Sequence, residues 1–417
     1  MENFTDLILL IGTSPLPNLV VAKYFAQKND NLKRIWMLCS DENDKSHQAS
    51  TEKYARKIKK LLSEQFDGLK FPCIQKIEDI NKSQDIKDSI ESISGKISEY
   101  DNVKVHLNYT GGTKTMVAHS YQYLKELYTD GITFSYLSSR DFKIFFDDSN
   151  SASNDIRKIV KCSIKELLEV HKFDYDPVVE PDFQDVYNYL TNLLESEKQN
   201  ESINSLFNDE AYSKLFKSRP FQSFENITYN SLNNVWKKIN DLLPNENKLY
   251  INHNNFYQFN FRDWRDTNFN DTIRYLSGIW LEDYVYKVLE EWQGFDDIMK
   301  NVKFKKDDMQ ITKKHWPEID IVMTNGYQLV GTSCTTSEKM SICKSKGFEV
   351  ILRSKQIGGD ESKAILMCGI KDESKIKQLE QDLTLATGNI GNIKVIGRNY
   401  WSKINLISEL NQFLEVV

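Results

Sequence analysis

Long apolar runs are missing from this sequence: no stretch approaches the ~20 consecutive apolar residues that a membrane-spanning helix needs. The N-terminus, MENFTDLILLIG, carries acids where a secretory leader carries a basic segment. A soluble, cytoplasmic protein with no membrane partner is the expectation. Paired cysteines are missing too. Cys39, Cys73, Cys162, Cys334, Cys343 and Cys368 are scattered without CxxC spacing, which excludes a disulfide frame or a zinc knuckle and fits reduced thiols. There is no basic excess: 54 Lys and Arg face 60 Asp and Glu, a formal charge of −6. That excludes a surface that binds nucleic acid all over, so any such site is a local patch. What is present is length, 417 residues at 40% hydrophobic content, enough for two or three ordinary cores.

Residues 1–150 alternate strand and helix signals with short connections, the α/β pattern of a parallel sheet with helices on both faces. Strands are expected at Leu7–Ile11, Arg34–Cys39, Phe71–Ile77, Val103–Tyr109, Ile132–Leu137 and Lys143–Phe146, and helices at Pro17–Gln27, Ser46–Glu64, Asp85–Glu99 and Lys114–Tyr128. Ser138-Ser139-Arg140-Asp141 reads as a hairpin turn, so the last strand should run antiparallel at the sheet edge.

Two loops in this segment have the chemistry of an anion cradle. Thr110-Gly111-Gly112-Thr113-Lys114 follows the fourth strand and opens a helix, and Gly12-Thr13-Ser14-Pro15-Leu16-Pro17-Asn18 follows the first. Glycines let the backbone approach a ligand, hydroxyls and helix N-terminal N–H groups favour phosphate, and Lys114 adds a point charge. Ligands of open parallel sheets sit outside the carboxyl ends of the strands, so both loops are expected to share one site.

The paired motifs IGTSPLPN and NYTGGTKTM resemble the two ligand-binding motifs of the CARF domain, the Rossmann-like sensor of cyclic oligoadenylates in type III CRISPR systems. The resemblance covers roughly residues 1–150. It implies a homodimer with the ligand, an allosteric activator, lying across the two-fold axis. On that match the binding set is Gly12, Thr13, Ser14, Pro15, Asn18, Thr110, Gly111, Gly112, Thr113 and Lys114. Some CARF domains also cleave their ligand slowly, and Ser14 and Lys114 are the residues to which that role would fall.

Residues 151–270 turn to Asn, Ser, Asp, Lys and aromatics and read as a mixed, largely helical connector, with helical periodicity at Val186–Leu194, Ala211–Phe216 and Leu232–Leu243. Phe256–Arg265 interleaves aromatics with arginines, a pattern of base stacking or of a strand with one buried face.

Residues 271–417 hold the next concentrated signal. Tyr275–Glu291 is an amphipathic helix with Glu282 among its apolar residues, followed by Glu318-Ile319-Asp320-Ile321-Val322, an Asn325-Gly326 turn and the strand Tyr327–Cys334. GIWLEDYV, EIDIV and CKSKGFEVILRSKQIGGDESKAILM resemble the first helix, the Asp strand and the following helix, turn and strand of the PD-(D/E)xK nucleases, an α/β restriction-endonuclease-like fold. That resemblance implies Glu282 and Asp320 as ligands of a divalent metal, Mg²⁺ or Mn²⁺, with Glu318 assisting, and DNA or RNA as substrate. The sequence departs from the pattern where those nucleases place Glu-x-Lys: here it reads Gly331-Thr332-Ser333-Cys334-Thr335-Thr336. Three readings stand open. Glu338, Lys339, Lys344, Lys346 or Glu349 swings back from the next helix; the fold has kept its shape and become a binding module; or Cys334 is a nucleophile. In the first, Lys344, Lys346 and Glu349 join Glu282 and Asp320 as catalytic candidates. Arg353, Lys355 and Gln356 continue that helix as a basic face on which a nucleic-acid backbone would lie.

Joined together, these segments lead to the expectation of a metal-dependent nuclease gated by a cyclic oligoadenylate, with cyclic tetra-adenylate as the expected ring. A non-catalytic sensor and a ring nuclease, whose substrate is the signal itself, are the rival readings.

Overall fold

The computed structural model describes residues 3–41, 50–129, 131–147, 151–178, 180–196, 234–251, 257–259, 267–307, 309–310, 312, 316–388 and 391–414. The first unit runs β1 (Asp6–Leu10), α1 (Leu16–Lys28), β2 (Arg34–Ser40), α2 (Glu52–Gln65), β3 (Ile74–Ile77), α3 (Ser83–Ile97), β4 (Val105–Asn108), α4 (Lys114–Leu127), β5 (Ile132–Ser138), β6 (Lys143–Phe146) and β7 (Ser151–Ala152). Every residue of β1, β2 and β4 is buried, because helices cover both faces and these strands read as continuous apolar runs rather than alternating ones. The sheet order is β3-β2-β1-β4-β5-β6-β7, parallel through β5 and antiparallel beyond.

The chain builds outward from β1 to β3, then returns to place β4 on the other side of β1. The order therefore reverses between β1 and β4, and the crevice at their carboxyl ends is where a ligand fits such a sheet. Both glycine loops leave from that point.

Residues 151–178 bind the two halves of the molecule together. Helix α5 (Ile164–Val170) opens with a capping box between Ser163 and Glu166 and touches α2 on one side and the second sheet on the other. Strand β8 (Phe173–Pro177) then pairs as the edge of that second sheet. A single apolar cluster runs through the seam, from Leu19, Ile58 and Leu167 to Val302, Ile319, Leu329 and Ile351.

Helices α6 (Gln184–Glu195) and α7 (Asn234–Leu242) realise the periodicities seen at Val186–Leu194 and Leu232–Leu243, and β9 (Leu249–Ile251) pairs with β10 (Tyr257–Phe259) as a small antiparallel sheet. Ala211–Phe216 and most of Phe256–Arg265 lie outside the described residues.

The second unit follows: α8 (Thr267–Arg274), a π-helical turn at Tyr275–Ile279, α9 (Trp280–Trp292), β11 (Asp297–Lys306), β12 (Glu318–Asn325), β13 (Gln328–Thr335), α10 (Met340–Gly358), β14 (Lys363–Cys368), α11 (Glu373–Thr387), β15 (Ile393–Ile396) and α12 (Lys403–Leu414). Its sheet order is β15-β14-β13-β12-β11-β8. Strands β11, β12 and β13 form an antiparallel meander, and β14 and β15 continue parallel to β13. Helices α6, α9 and α12 cover one face; α5, α10 and α11 cover the other. Five of the six cysteines are buried and all six are free thiols, and no helix among the described residues is long and apolar enough to cross a membrane.

Candidate functional site

The two glycine loops touch. A Cβ on Gly12 would lie 3.0 Å from the Gly112 nitrogen, Gly112 itself has φ +82°, and a Cβ on Gly111 would overlap the Leu10 carbonyl and the Asn18 amide. Only glycine fits such an approach. Asn18 is fully buried and donates from Nδ2 to the Leu10 carbonyl at 3.0 Å, pinning the first loop to the end of β1. Thr110 donates to Asn108 Oδ1 at 2.7 Å and accepts from the Leu137 N–H at 2.7 Å, so its hydroxyl holds the second loop. Thr113 caps α4 by accepting from the Met116 N–H at 3.2 Å. Pro15 is buried, and the first turn of α1 behind it has no side-chain cap. The groups that face solvent with their chemistry unspent are Thr13, Ser14 and Lys114, all exposed, with Lys114 in no ion pair among the described residues. The ten residues singled out thus divide into a scaffold of Gly12, Pro15, Asn18, Thr110, Gly111, Gly112 and Thr113 and a contact set of Thr13, Ser14 and Lys114.

A second constellation forms where α9, β12, β13 and α10 meet. Strand pairing between β12 and β13 stops at Ile321 opposite Thr332. At the next residue the Asp320 carboxylate takes over the ladder, accepting from the Cys334 N–H at 2.7 Å and the Ser333 hydroxyl at 3.0 Å through Oδ2. The pleat breaks there: Ile319 and Val322 face one core, Ile321 and Met323 the other. Across from it Asn301 holds a left-handed φ of +54°, a conformation asparagine tolerates better than most residues. Glu282 approaches from α9, just after the π turn, a common feature of functional helices. The hydroxyl of Thr336 ties that turn to β13 by donating to the Ser277 carbonyl at 2.6 Å.

Helix α10 completes the set. Close contacts at Gly331 beneath Ser354, Gly347 beneath Leu383 and Gly358 beneath Leu329 let this helix lie hard against the sheet and against α11. Lys346, Glu349 and Arg353 then line one cavity of about 350 Å³ with Glu318, Asp320 and Ser333. Asp320, opposed by burial and aided by Glu282, raises the Lys346 ammonium above its ordinary range, which keeps it charged. Burial first, then Asp320, pushes the Glu282 carboxyl well above its ordinary 4.5. Lys344 points elsewhere, to Asp382 at 3.0 Å, and Glu338 pairs with Arg398. Cys334 is buried, and burial with Asp320 and Glu282 raises its thiol well above the usual range, a setting that leaves a cysteine protonated and inert.

Lys355 and Gln356 do not continue the Arg353 surface. They line a different cavity of about 300 Å³, with Thr13 and Ser14 of the first glycine loop. Lys306 and His171 on its other wall were not singled out in the sequence; for Lys306 the reason is that β11 alternates poorly and is interrupted at Asn301.

A pH dependence follows from Glu282. A carboxyl raised in the folded state binds a proton that the unfolded chain has already released, so stability is present at low pH and is lost as pH rises above about 4.5 toward the raised value. With chelator present, denaturant midpoints of the protein should fall between pH 5 and pH 8, and Glu282→Gln should flatten that fall; an unchanged slope in the variant would assign the effect to another group.

No curated protein matches the chain. Among solved structures, Can2 from Sulfobacillus thermosulfidooxidans in complex with cyclic tetra-adenylate superposes with a TM-score of 0.62 at 15% identity, covering 98% of this chain and 98% of that one. Protein VC1899 from Vibrio cholerae does so with a TM-score of 0.59 at 12% identity, covering 99% and 98%. At these identities the likeness is one of fold, and it extends from end to end. The glycine loops, their meeting at the switch point and the start of helix α5 fall within residues 7–167, the segment that matches the family model of the Card1 CARF domain.

Proposed function

We propose that this protein is a cyclic oligoadenylate sensor of type III CRISPR defence that, as a homodimer, gates a metal-dependent nuclease acting on DNA or RNA. The observation that carries the reading is the convergence of Lys346 and Glu349 on the cavity of Asp320 and Ser333. The cation and carboxylate that β13 lacks arrive from α10 instead. The cyclic tetra-adenylate bound in Can2 supports that ring as the activator. Its repeated phosphates suit repeated Thr13, Ser14 and Lys114 groups across a two-fold axis.

Glu282 and Asp320 are the residues that would hold the divalent metal. Burial first and Asp320 second raise the Glu282 carboxyl, and a cation between the two carboxylates would offset both. Among the described residues no group of three His, Cys, Asp or Glu could hold a metal, so a closed protein cage does not fit. Two carboxylates with waters and a substrate phosphate are the set that Mg²⁺ favours. When bound, such a cation supplies a Lewis acid beside the scissile phosphate. The chain's own groups then have separate tasks. Lys346 faces the charge that develops on the phosphate, Arg353 extends the cationic wall along the strand, and the two hydrogen bonds on Asp320 keep its carboxylate from turning away.

Labelled single-stranded and duplex DNA and RNA, incubated with Mg²⁺ or Mn²⁺ with and without cyclic tetra-adenylate, test the reading, provided the cyclic ligand is followed in the same tubes. Cutting should require ligand and metal together and vanish in Asp320→Ala and in EDTA. Ligand bound and intact with every polymer uncut would make the second unit a binding module, and loss of the ligand alone would make the protein a ring nuclease.

A further inference from the structure

The cavity of about 300 Å³ at the seam is built from both units: Thr13 and Ser14 of the sensor loop, His171 after α5, Lys306 of β11, and Lys355 and Gln356 near the end of α10. Loop and helix end are close enough that a Cβ on Gly359 would lie 3.9 Å from Ser14 Oγ. The charges on its wall are not balanced. On β11, Lys300 pairs with Asp283, Lys303 with Glu318 and Lys305 with Asp174, whereas Lys306 makes no ion pair among the described residues. Lys355 reaches only Asp360, at 3.9 Å, and that side chain is 93% exposed, so the pair is weak. Asp360 itself lines the cavity beside Lys355, so the wall carries one unpaired ammonium on Lys306, one weakly paired ammonium on Lys355 and two exposed hydroxyls, a set with a net positive charge and the recognition chemistry of a phosphate.

The rest of the lining suits the remainder of a nucleotide. The aromatic ring of Phe173 forms part of the wall, a surface on which a base stacks. His171 is buried and neutral, its conjugate acid pushed down to about 4 by burial. With Nδ1 engaged at the Leu167 carbonyl, 2.9 Å away, the neutral ring carries its proton there and leaves Nε2 as an acceptor, the complement of an amino group on a base.

The geometry points to a nucleotide subsite shared between the units, in which one adenylate of the activator sits on the Thr13–Ser14 loop while Lys306 and Lys355 hold its phosphate. This rests on the sensor reading above and adds to it a direct grip of the second unit on the ligand. Its consequence lies in α10. The helix is one unbroken rod from Met340 to Gly358, with Lys346 and Arg353 in the nuclease-like cavity and Lys355 and Gln356 in this one. Arg353 Nη1 donates to Gln356 Oε1 at 3.1 Å, so the linings of the two cavities are bonded to each other. A ligand that draws Lys355 and Gln356 toward the sensor loop acts on the helix that presents Lys346 to Asp320, and the coupling runs within a single chain.

Titration of labelled cyclic tetra-adenylate at several salt concentrations, with melting temperatures measured alongside, tests the subsite in the full-length protein. Lys306→Ala and Lys355→Ala should each weaken binding about 10-fold and together about 100-fold. The salt dependence should become shallower in the double variant, while Lys306→Arg with Lys355→Arg should bind as the parent does. Near-parental affinity in the double alanine variant, with Lys114→Ala still abolishing binding, would overturn the subsite and leave the sensor standing. Equal loss in the arginine and alanine variants, or a lowered melting temperature in step with the lost affinity, would show the lysines to be structural and overturn it too. A parent protein that does not bind the ring at all overturns both proposals together.

Discussion

Lys346→Met should lower ligand-triggered nucleic-acid cleavage by about 10²–10³-fold while leaving activator affinity where it was. Methionine keeps the length of the stem and removes only the charge, so the packing of α10 on β13 through Gly331 and Ser354 survives. What disappears is a cation whose charge is held by Asp320 and Glu282 together. Without it Glu282 loses the partner that offsets its repulsion from Asp320, and the acid side of the cleavage pH profile should move upward as a second consequence. Lys344→Met is the control. Its ammonium pairs with Asp382 on a half-exposed surface, and removing such a pair changes stability by about 0–1 kcal/mol and cleavage not at all. Single-turnover rates of the two variants decide the matter: equal loss in both, or loss in Lys344→Met alone, would remove Lys346 from the site.

The contrast between these two lysines marks how far sequence reasoning reached. Spacing placed both on one helix beside a strand that lacks the expected lysine, and there it stopped, since which lysine turns inward depends on where α10 rests against the sheet. That resting place is set by contacts between glycines and residues far away in the chain. The expectation of one basic face holding Arg353, Lys355 and Gln356 was wrong, and helical spacing alone contradicts it. At about 100° per residue, Lys346, Glu349 and Arg353 share a face while Lys355, nine positions after Lys346, lies opposite, and a single basic face could not include them all. Six strands of the first sheet were readable because its inner strands are buried on both sides and announce themselves as apolar runs; the two-residue edge strand β7 gave no signal, α2 begins at Glu52 rather than Ser46, and smaller shifts fall at strand ends, as at β3, which begins at Ile74 rather than Phe71. Strands β8 and β11 escaped notice for the opposite reason. In DIMKNVKFKK, lysines occupy the outward positions of a strand near the sheet edge, and the alternation is interrupted by the left-handed Asn301. The replacement of a ladder bond by the Asp320 side chain was equally hidden, since nothing local in Glu318–Val322 signals a broken pleat.

Gly111→Ala should abolish the response to the activator, lowering affinity for cyclic tetra-adenylate by at least about 100-fold and destabilising the first unit by about 1–3 kcal/mol. The reason is steric and lies at one point. The new methyl would overlap both the Leu10 carbonyl and the Asn18 amide, the two partners of the 3.0 Å bond that holds the first loop at the end of β1. Neither partner can retreat: Leu10 is the last residue of a fully buried strand, and Asn18 is itself fully buried. Relief therefore comes by pushing the two glycine loops apart, which removes Thr13 and Ser14 from the neighbourhood of Lys114. Gly95→Ala is the matched control, because a Cβ there meets nothing within 4 Å and the residue sits inside α3, where alanine is favoured over glycine by about 0.8–1.0 kcal/mol. The two substitutions should move the denaturation midpoint in opposite directions, and only the first should touch ligand binding. A Gly111→Ala protein that binds the ring with parental affinity would mean that the two loops do not form one site, whatever its stability.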